Sequence, residues 1–543
     1  MKKAVSPVRS LLSAAALTAG LALASSAQAG TWTKVVNNPP GAAGLMLLLN
    51  DGTVMVTNPG VTASWYKLTP NAKGSYINGT WTTLANAPHT RLYFQTEVLK
   101  DGRVYASGGE YGTGGPYADM YNPATNSWTN LPIPGALWNT GSDNFYDCNL
   151  EVRPDGSLIM MPVFPHTAGI PIVYNPYTNV WSNAGKLFRG TWQDEASWVK
   201  LPDNSILTID PWGTNSERYI PASNTWVNDG VVPVAMYDPF GFELGGAYML
   251  PNGKAMFLGS TGNTAFYQPT GTTSPGTWTA GPVIPSSRGT PDAPASPMPN
   301  GKILCAVSAV PTSANHFPSP TYFYEFDYTT NTFTNINGPT GNSDPISAYQ
   351  AMMLMLPTGE VLYTNMGSSV YVYNPGGSPL AAAKPSVTSI SKNGDGSYHL
   401  IGKNFNGINE GATYGDDWQM NTNRPLVRFF DNASPPNVWY ATTFNWSSSG
   451  VMTGAATVTT EFKKHPSMPS TVNQFVVVVN GVASDVYRIC PADINHDGFV
   501  NGDDYDLFAS YFDAGTSGAD FNGDGFINGD DYDSFASHFE AGC

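Results

Sequence analysis

Charge is scarce in this chain: only 12% of its 543 residues are Asp, Glu, Lys or Arg. That argues against a coiled coil or a helical bundle, both of which need charged faces along most of their length. Cysteine is scarcer, and Cys148, Cys305, Cys490 and Cys543 are too few for a disulfide-built scaffold. Beyond the first thirty residues no apolar run approaches the roughly 20 residues of a membrane span. Lys and Arg are missing altogether from residues 491–543, which hold 12 acids, and the whole chain has a formal charge of −16. Without a basic footprint for phosphate, no nucleic-acid partner is expected.

What is abundant is Gly (56), Pro (44) and aromatic residues (28 Tyr, 25 Phe, 14 Trp). Gly and Pro punctuate short strands, and aromatic rings fill half-buried sheet faces, so an all-β protein is expected. At the start, Lys2, Lys3 and Arg9 flank an apolar run from Leu11 to Ala24 that ends in Ala27-Gln28-Ala29. This is the pattern of a secretory signal spanning 1–29, and it predicts a secreted protein, placed outside the cell, at its surface or in a periplasm.

A unit of about fifty residues recurs seven times. Its marker is a tight turn between two apolar strands, at Asp51-Gly52, Asp101-Gly102, Asp155-Gly156, Asp203-Asn204, Asn252-Gly253, Asn300-Gly301 and Thr358-Gly359. Such pairs suit two-residue hairpins with positive backbone angles. A Tyr strand, an Asn-Pro-type turn and a Trp strand often follow, as in MYNPATNSWT and VYNPYTNVWS. Four strands repeated seven times predict a seven-bladed β-propeller of kelch-repeat length over 30–378. The seventh unit lacks its Trp strand while the segment around Trp32 is an orphan, so the chain start is expected to close the ring. Short strands over 384–489 then predict an immunoglobulin-like sandwich.

Residues 490–543 hold two copies of one loop, 27 residues apart. Calcium loops take oxygen ligands from positions 1, 3, 5, 9 and 12, a backbone carbonyl from 7, and Gly at 6. The first copy supplies Asp493, Asn495, Asp497, Phe499 (carbonyl), Asn501 and Asp504; the second supplies Asp520, Asn522, Asp524, Phe526 (carbonyl), Asn528 and Asp531. Two bound calcium ions are expected. A short helix follows each loop, and the module resembles a dockerin, which implies docking to a cohesin-like protein. Cys490 and Cys543 flank it, and a disulfide clasp joining its two ends is expected.

The propeller with its following sandwich is similar to the galactose oxidase and glyoxal oxidase family, whose C-terminal early-set domain HLIGKNFNGINEGATYGDDWQMNTNRPLVRFF also resembles. That resemblance implies a copper radical site of two Tyr, two His and a Cys crosslinked to one of the two Tyr. The matching positions depart from it: Tyr349 is followed by Gln350 rather than His, Phe444 and Asn445 stand where the second His is expected, and Cys148 matches the crosslinking Cys while the segment RGTWQDEASW, with Trp192, lacks its Tyr partner. Copper, which favours imidazole, is therefore not expected. The mouth of the ring is instead lined by acids and aromatics that precede inner strands, among them Asp143, Asp238, Glu243 and Asp292. Glu195, Asp194, Asp147 and Tyr349 are the candidate catalytic groups, and Tyr93, Tyr146, Trp192 and Gln350 the candidate substrate contacts. Flat rings and carboxylates suit a carbohydrate ligand, and paired carboxylates suit acid–base cleavage of a glycosidic bond. The sequence reading is thus an exported protein that binds or degrades polysaccharide. The competing readings are an active copper radical oxidase and a non-catalytic adhesion or scaffold protein.

Overall fold

The computed structural model describes residues 30–139, 142–189, 193–211, 213–410, 422–495 and 500–541. Trp192, Asp497, Phe499, Cys543 and the expected signal lie outside the described residues. Seven antiparallel sheets form the propeller, with blades at 46–83, 95–130, 149–183, 198–231, 244–280, 288–336 and 352–374. Thr31–Lys34 is the outer strand of the seventh blade, paired in register Thr31↔Asn374 and Trp32↔Tyr373. The first and last segments of the ring are thereby one sheet, which leaves no open edge between them.

Burial follows the blade order. Inner strands such as Leu244–Met249 and Met352–Met355 are buried at every position. Outer strands such as Ser127–Asn130 expose everything except a half-buried Trp. Those Trp residues pack across sheets: Trp128 sits 5.1 Å from Tyr121 in its own blade and 5.5 Å from Trp65 in the preceding one. The repeated Tyr and Trp of the sequence are therefore packing residues.

The marker turns differ from the expected two-residue hairpins. Gly52 N–H donates to Leu49 O and Leu49 N–H to Thr53 O, which makes a three-residue loop with only its last residue left-handed. The cause is the Asp side chain: Asp51 Oδ1 accepts from Thr53 N–H at 3.0 Å and holds the turn in this form. Positive φ recurs at Gly102, Gly156, Asn204, Gly253, Gly301 and Gly359.

The C-terminal strands form one curled eight-stranded sheet instead of two separate layers. Its apolar interior gathers Leu400, Val427, Phe429, Phe462, Phe475 and Val477. This sheet covers the propeller face that carries the Gly turns: Tyr440 lies against Gly52, and Gly481 against Gly359. At the axis beneath it, Arg424 donates to Leu48 O and Asn50 Oδ1, and Glu410 accepts Met249 N–H at 3.3 Å. Lys200 and Glu151, on adjacent inner strands, pair at 2.6 Å. Burial pushes the Glu97 and Glu410 carboxyls up to about 8 and lowers the Arg424 guanidinium to about 10.

In the tail, α1 (Gly502–Asp513) and α2 (Gly529–Ala541) pack around Phe508 and Phe535, whose rings stack at 4.0 Å. Ala492 and Ala519 complete this small core. Cys490 is held in a disulfide, while Cys148 and Cys305 are buried inside the blades.

Candidate functional site

The face opposite the C-terminal sheet carries the loops that enter the inner strands and those that join second strands to third. Along the first set, five consecutive blades place a non-glycine residue in left-handed backbone shortly before the inner strand: Tyr93 (φ 40°), Tyr146 (52°), Glu195 (57°), Phe242 (66°) and Asp292 (50°). Such conformations cost of order 1–3 kcal/mol each and persist where surrounding structure enforces them, characteristically at ligand sites.

These turns aim carboxylates at the axis. Oxygens of Asp147, Asp194 and Glu195 lie within 4.8 Å of one another, and so do those of Glu195, Glu243 and Asp292. Glu195 is shared, so five acids form one cluster. Burial, then the charges of Asp194 and Glu110, push the Asp147 carboxyl up to about 8. Burial, then Glu243 and Asp292, hold Glu195 well above the ordinary carboxylate range. Burial also raises Asp194 and Glu110. The like charges crowd each other in a partly dehydrated well, so protons are retained there at neutral pH.

Aromatic rings surround the acids. Tyr93 meets Tyr349 edge-on at 6.1 Å, and Phe317 meets Tyr349 at 5.0 Å. Phe164 stands edge-on to Tyr146 at 4.6 Å. Tyr111, at 77% exposure, projects beside Glu110, whose hydrogen bond to it raises its phenol to about 12.

The structure thus gathers Asp147, Asp194, Glu195, Tyr349 and Tyr93, with Tyr146 at the rim. Gln350 has a local role: its Oε1 accepts Ser347 N–H at 3.2 Å and caps the turn that presents Tyr349. Asp238 accepts the amides of Phe240, Gly241 and Glu243, so it organises its own loop. Asp143 likewise pairs with His166 at 2.9 Å. Sequence reasoning missed Glu110, Tyr111, Phe164, His316 and Phe317, all in connections between second and third strands. The irregular stretch after each second strand was the available signal.

The donor set does not fit a copper radical centre. Among the described residues, no His or Cys joins either metal-sized cluster. Asn445 lies on the turn face, where its N–H donates to Lys100 O at 2.6 Å. Cys148 is buried in an apolar cluster with Tyr105, Trp138 and Phe145. What the mouth offers is hard oxygen, suited to protons, hydroxyl groups or a cation of the calcium type.

The second calcium-type loop of the tail has the features of a ligand cradle. Asp531 is fully buried and accepts the amides of Phe521, Asn522 and Asn528 at 2.8, 3.1 and 2.9 Å, and such bonds hold its carboxyl below the ordinary range. Asp520 Oδ1 is buried without a hydrogen-bond partner. Asp504 closes the first loop in the same manner, through the amides of Asn495 and Asn501 at 3.0 Å each.

Neither a family model nor a curated protein matches the chain. Solved structures similar to it include a fungal alcohol oxidase of the AA5 family in complex with copper, at 14% identity over 85% of this chain and 99% of that one, TM-score 0.49. A streptogramin B lyase is similar at 12% identity over 64% and 98%, TM-score 0.44. A virginiamycin B lyase from Staphylococcus aureus is similar at 10% identity over 64% and 98%, TM-score 0.41. No inference about chemistry rests on likenesses this distant. The chain is a seven-bladed propeller with an acid-filled, aromatic-rimmed mouth.

Proposed function

We propose that this is an exported, carbohydrate-directed protein whose open mouth binds a polysaccharide chain and acts on it by carboxyl acid–base chemistry. The observation that carries this reading is the cluster of Asp147, Asp194 and Glu195 oxygens within 4.8 Å beneath a rim of aromatic rings. Asp147, protonated up to about pH 8, is the proton donor to a leaving glycosidic oxygen. Asp194 and Glu195 supply the partner carboxylate, and oxygens within 4.8 Å leave less room for a water between the carboxyls than the roughly 6.5–9.5 Å of inverting pairs, which favours a retaining course. Tyr93, Tyr349 and Tyr146 offer ring faces and phenol hydroxyls to the sugar.

Two duplicated loops support a docking role for the tail. Asp520, Asn522, Asp524, Asn528, Asp531 and the Phe526 carbonyl would hold one calcium ion, and the copy from Asp493 to Asp504 would hold another. Bound calcium would tie each loop to its helix, presenting α1 and α2 to a cohesin-like partner. Trp192, within the expected mouth, and the secretory signal remain part of this proposal from sequence alone.

The test is release of reducing ends from a polysaccharide panel by the mature protein. D147N and E195Q are each expected to lower turnover by about 10²-fold or more while binding persists. Neither binding nor turnover on any polysaccharide would overturn the reading.

A further inference from the structure

In the second, third, fourth and sixth blades, four residues join the third strand to the fourth, at 123–126, 176–179, 221–224 and 328–331. In the fifth blade eight residues do so, at 269–276. The first blade also has a long connection, 70–79, but that one is spent on the C-terminal sheet, where Lys73 Nζ donates to Pro435 O and Asn437 Oδ1 at 2.8 Å each. The extra residues of the fifth blade instead lean on the fourth. Arg218, fully buried in the fourth blade, donates to Thr272 O at 2.9 Å and Ser274 O at 3.0 Å. Its other nitrogens bond Asp229 and, at 3.2 Å, Asp203. Asp229 in turn accepts the Tyr267 hydroxyl and the Gly276 N–H at 2.7 Å each. A buried hydrogen-bonded network of this kind fixes the loop in one position.

The loop so held is one wall of a cleft of about 450 Å³, which is within the roughly 300–1,000 Å³ of small-ligand sites. The other walls are the marker turns of the third and fourth blades, so the cleft lies on the face opposite the acid mouth. The C-terminal domain adjoins it, the Ser449 hydroxyl donating to Arg153 O at 3.3 Å. Arg153 lines the cleft with its guanidinium under-used: it donates to Ser157 Oγ at 3.3 Å, and Nε has no hydrogen-bond partner among the described residues. Asp155 Oδ2 stands 4.0 Å from Arg153, and the Asn204 amide and Thr273 hydroxyl line the same space. Pro154 and Pro221 add apolar surface. Arg153 is balanced by Asp155, and Asp203 by Arg218, so the lining favours no ionised ligand. It does offer donors, acceptors and apolar patches together, the set that the hydroxyls and C–H faces of a neutral sugar require.

We propose that this cleft is a second carbohydrate site, which binds an uncharged oligosaccharide on the face opposite the mouth. It takes its class of ligand from the carbohydrate reading of the mouth, while its geometry is independent of the mouth. Arg153 and Asn204 donate to sugar oxygens, Asp155 accepts a sugar hydroxyl, and the loop at 269–276 closes the far side. A chain held here and a chain held in the mouth occupy opposite faces of the ring, so the protein can grip two strands of a polysaccharide at once.

The test is isothermal titration of the full mature chain carrying Asp147→Asn to suppress turnover, in calcium buffer, with β-1,4-linked hexasaccharides of glucose, xylose, mannose and N-acetylglucosamine. Two equivalents of a bound hexasaccharide are expected. Adding Ala222→Trp, which sets an indole into the cleft from an exposed turn, is expected to remove one of them. Adding Arg153→Ala is expected to weaken that same site about tenfold, the loss of a charged donor. Ala222 is exposed, so its variant keeps the fold even if Arg153→Ala does not. Both variants titrating as Asp147→Asn alone does, with one site or with two, would overturn the cleft and leave the mouth reading standing. A single site that Ala222→Trp abolishes would support the cleft and overturn the mouth reading. Binding of none of the four hexasaccharides would overturn both.

Discussion

Replacing Asp147 by Asn should stabilise the protein at neutral pH, and the size of the gain follows from the site. Asp147 is 6% exposed and its carboxyl is pushed up to about 8, first by burial and then by Asp194 and Glu110. An unfolded chain gives up the same proton near pH 4. Between those values the folded protein binds more protons than the unfolded one, so its stability falls as pH rises, by at most about 1.4 kcal/mol per unit. From pH 4 to pH 7 the ceiling is about 4 kcal/mol; proton sharing within the cluster and water at the open mouth reduce it to about 2 kcal/mol. D147N removes the ionisable group and with it this cost. Glu97 and Glu410, also raised to about 8, contribute the same slope to both proteins and cancel in the comparison. Urea unfolding followed by tryptophan fluorescence at pH 4, 5.5 and 7, without added divalent cation, measures the difference. A gain of about 2 kcal/mol at pH 7 that shrinks below about 0.5 kcal/mol at pH 4 is expected. Destabilisation by D147N at pH 7, or a gain independent of pH, would refute the reasoning.

Three further outcomes follow from the same structure. W32A should cost about 2–4 kcal/mol in urea unfolding, because Trp32 closes the ring with a 2.7 Å bond to Asn337 O and ring contacts to Phe323, Tyr363 and Tyr373; a loss under about 0.5 kcal/mol would deny the closing strand its role. Chelation with EDTA should melt the helical signal of residues 490–541 while the propeller's transition is kept, since ligand binding to the folded loops alone stabilises them; circular dichroism unchanged by EDTA would count against calcium loops. Peptide mapping should find Cys490 joined to Cys543, and C490S should lower tail stability by about 4 kcal/mol on the chain-entropy estimate; recovery of both as free thiols would remove the clasp.

The blades were legible because each repeats one physical device. An apolar hairpin around an Asp-Gly turn, then a Tyr strand and a Trp strand, recurs with enough regularity to count to seven and to identify Thr31–Lys34 as the displaced strand. The mouth was only half legible. Asp147, Asp194 and Glu195 could be named because they precede inner strands, yet sequence does not distinguish an acid that faces the axis from one that bonds its own loop. Asp238 and Asp143 are of the second kind, and only the positions of neighbouring amides and of His166 reveal it. Glu110 and His316 lie in connections with no repeat, where periodicity carries no information. Glu410 and Arg424 reach the far end of the axis from another part of the chain, and no local pattern marks a contact between residues so far apart in sequence.

The most direct test of the carbohydrate site is a crystal structure of the mature protein soaked with a hexasaccharide it binds. A sugar ring in the open mouth, with a hydroxyl or glycosidic oxygen within hydrogen-bond distance of Asp147 or Glu195, is the expected result. A sugar seated on the C-terminal sheet, with the mouth carboxylates gathered around a metal ion, would contradict it.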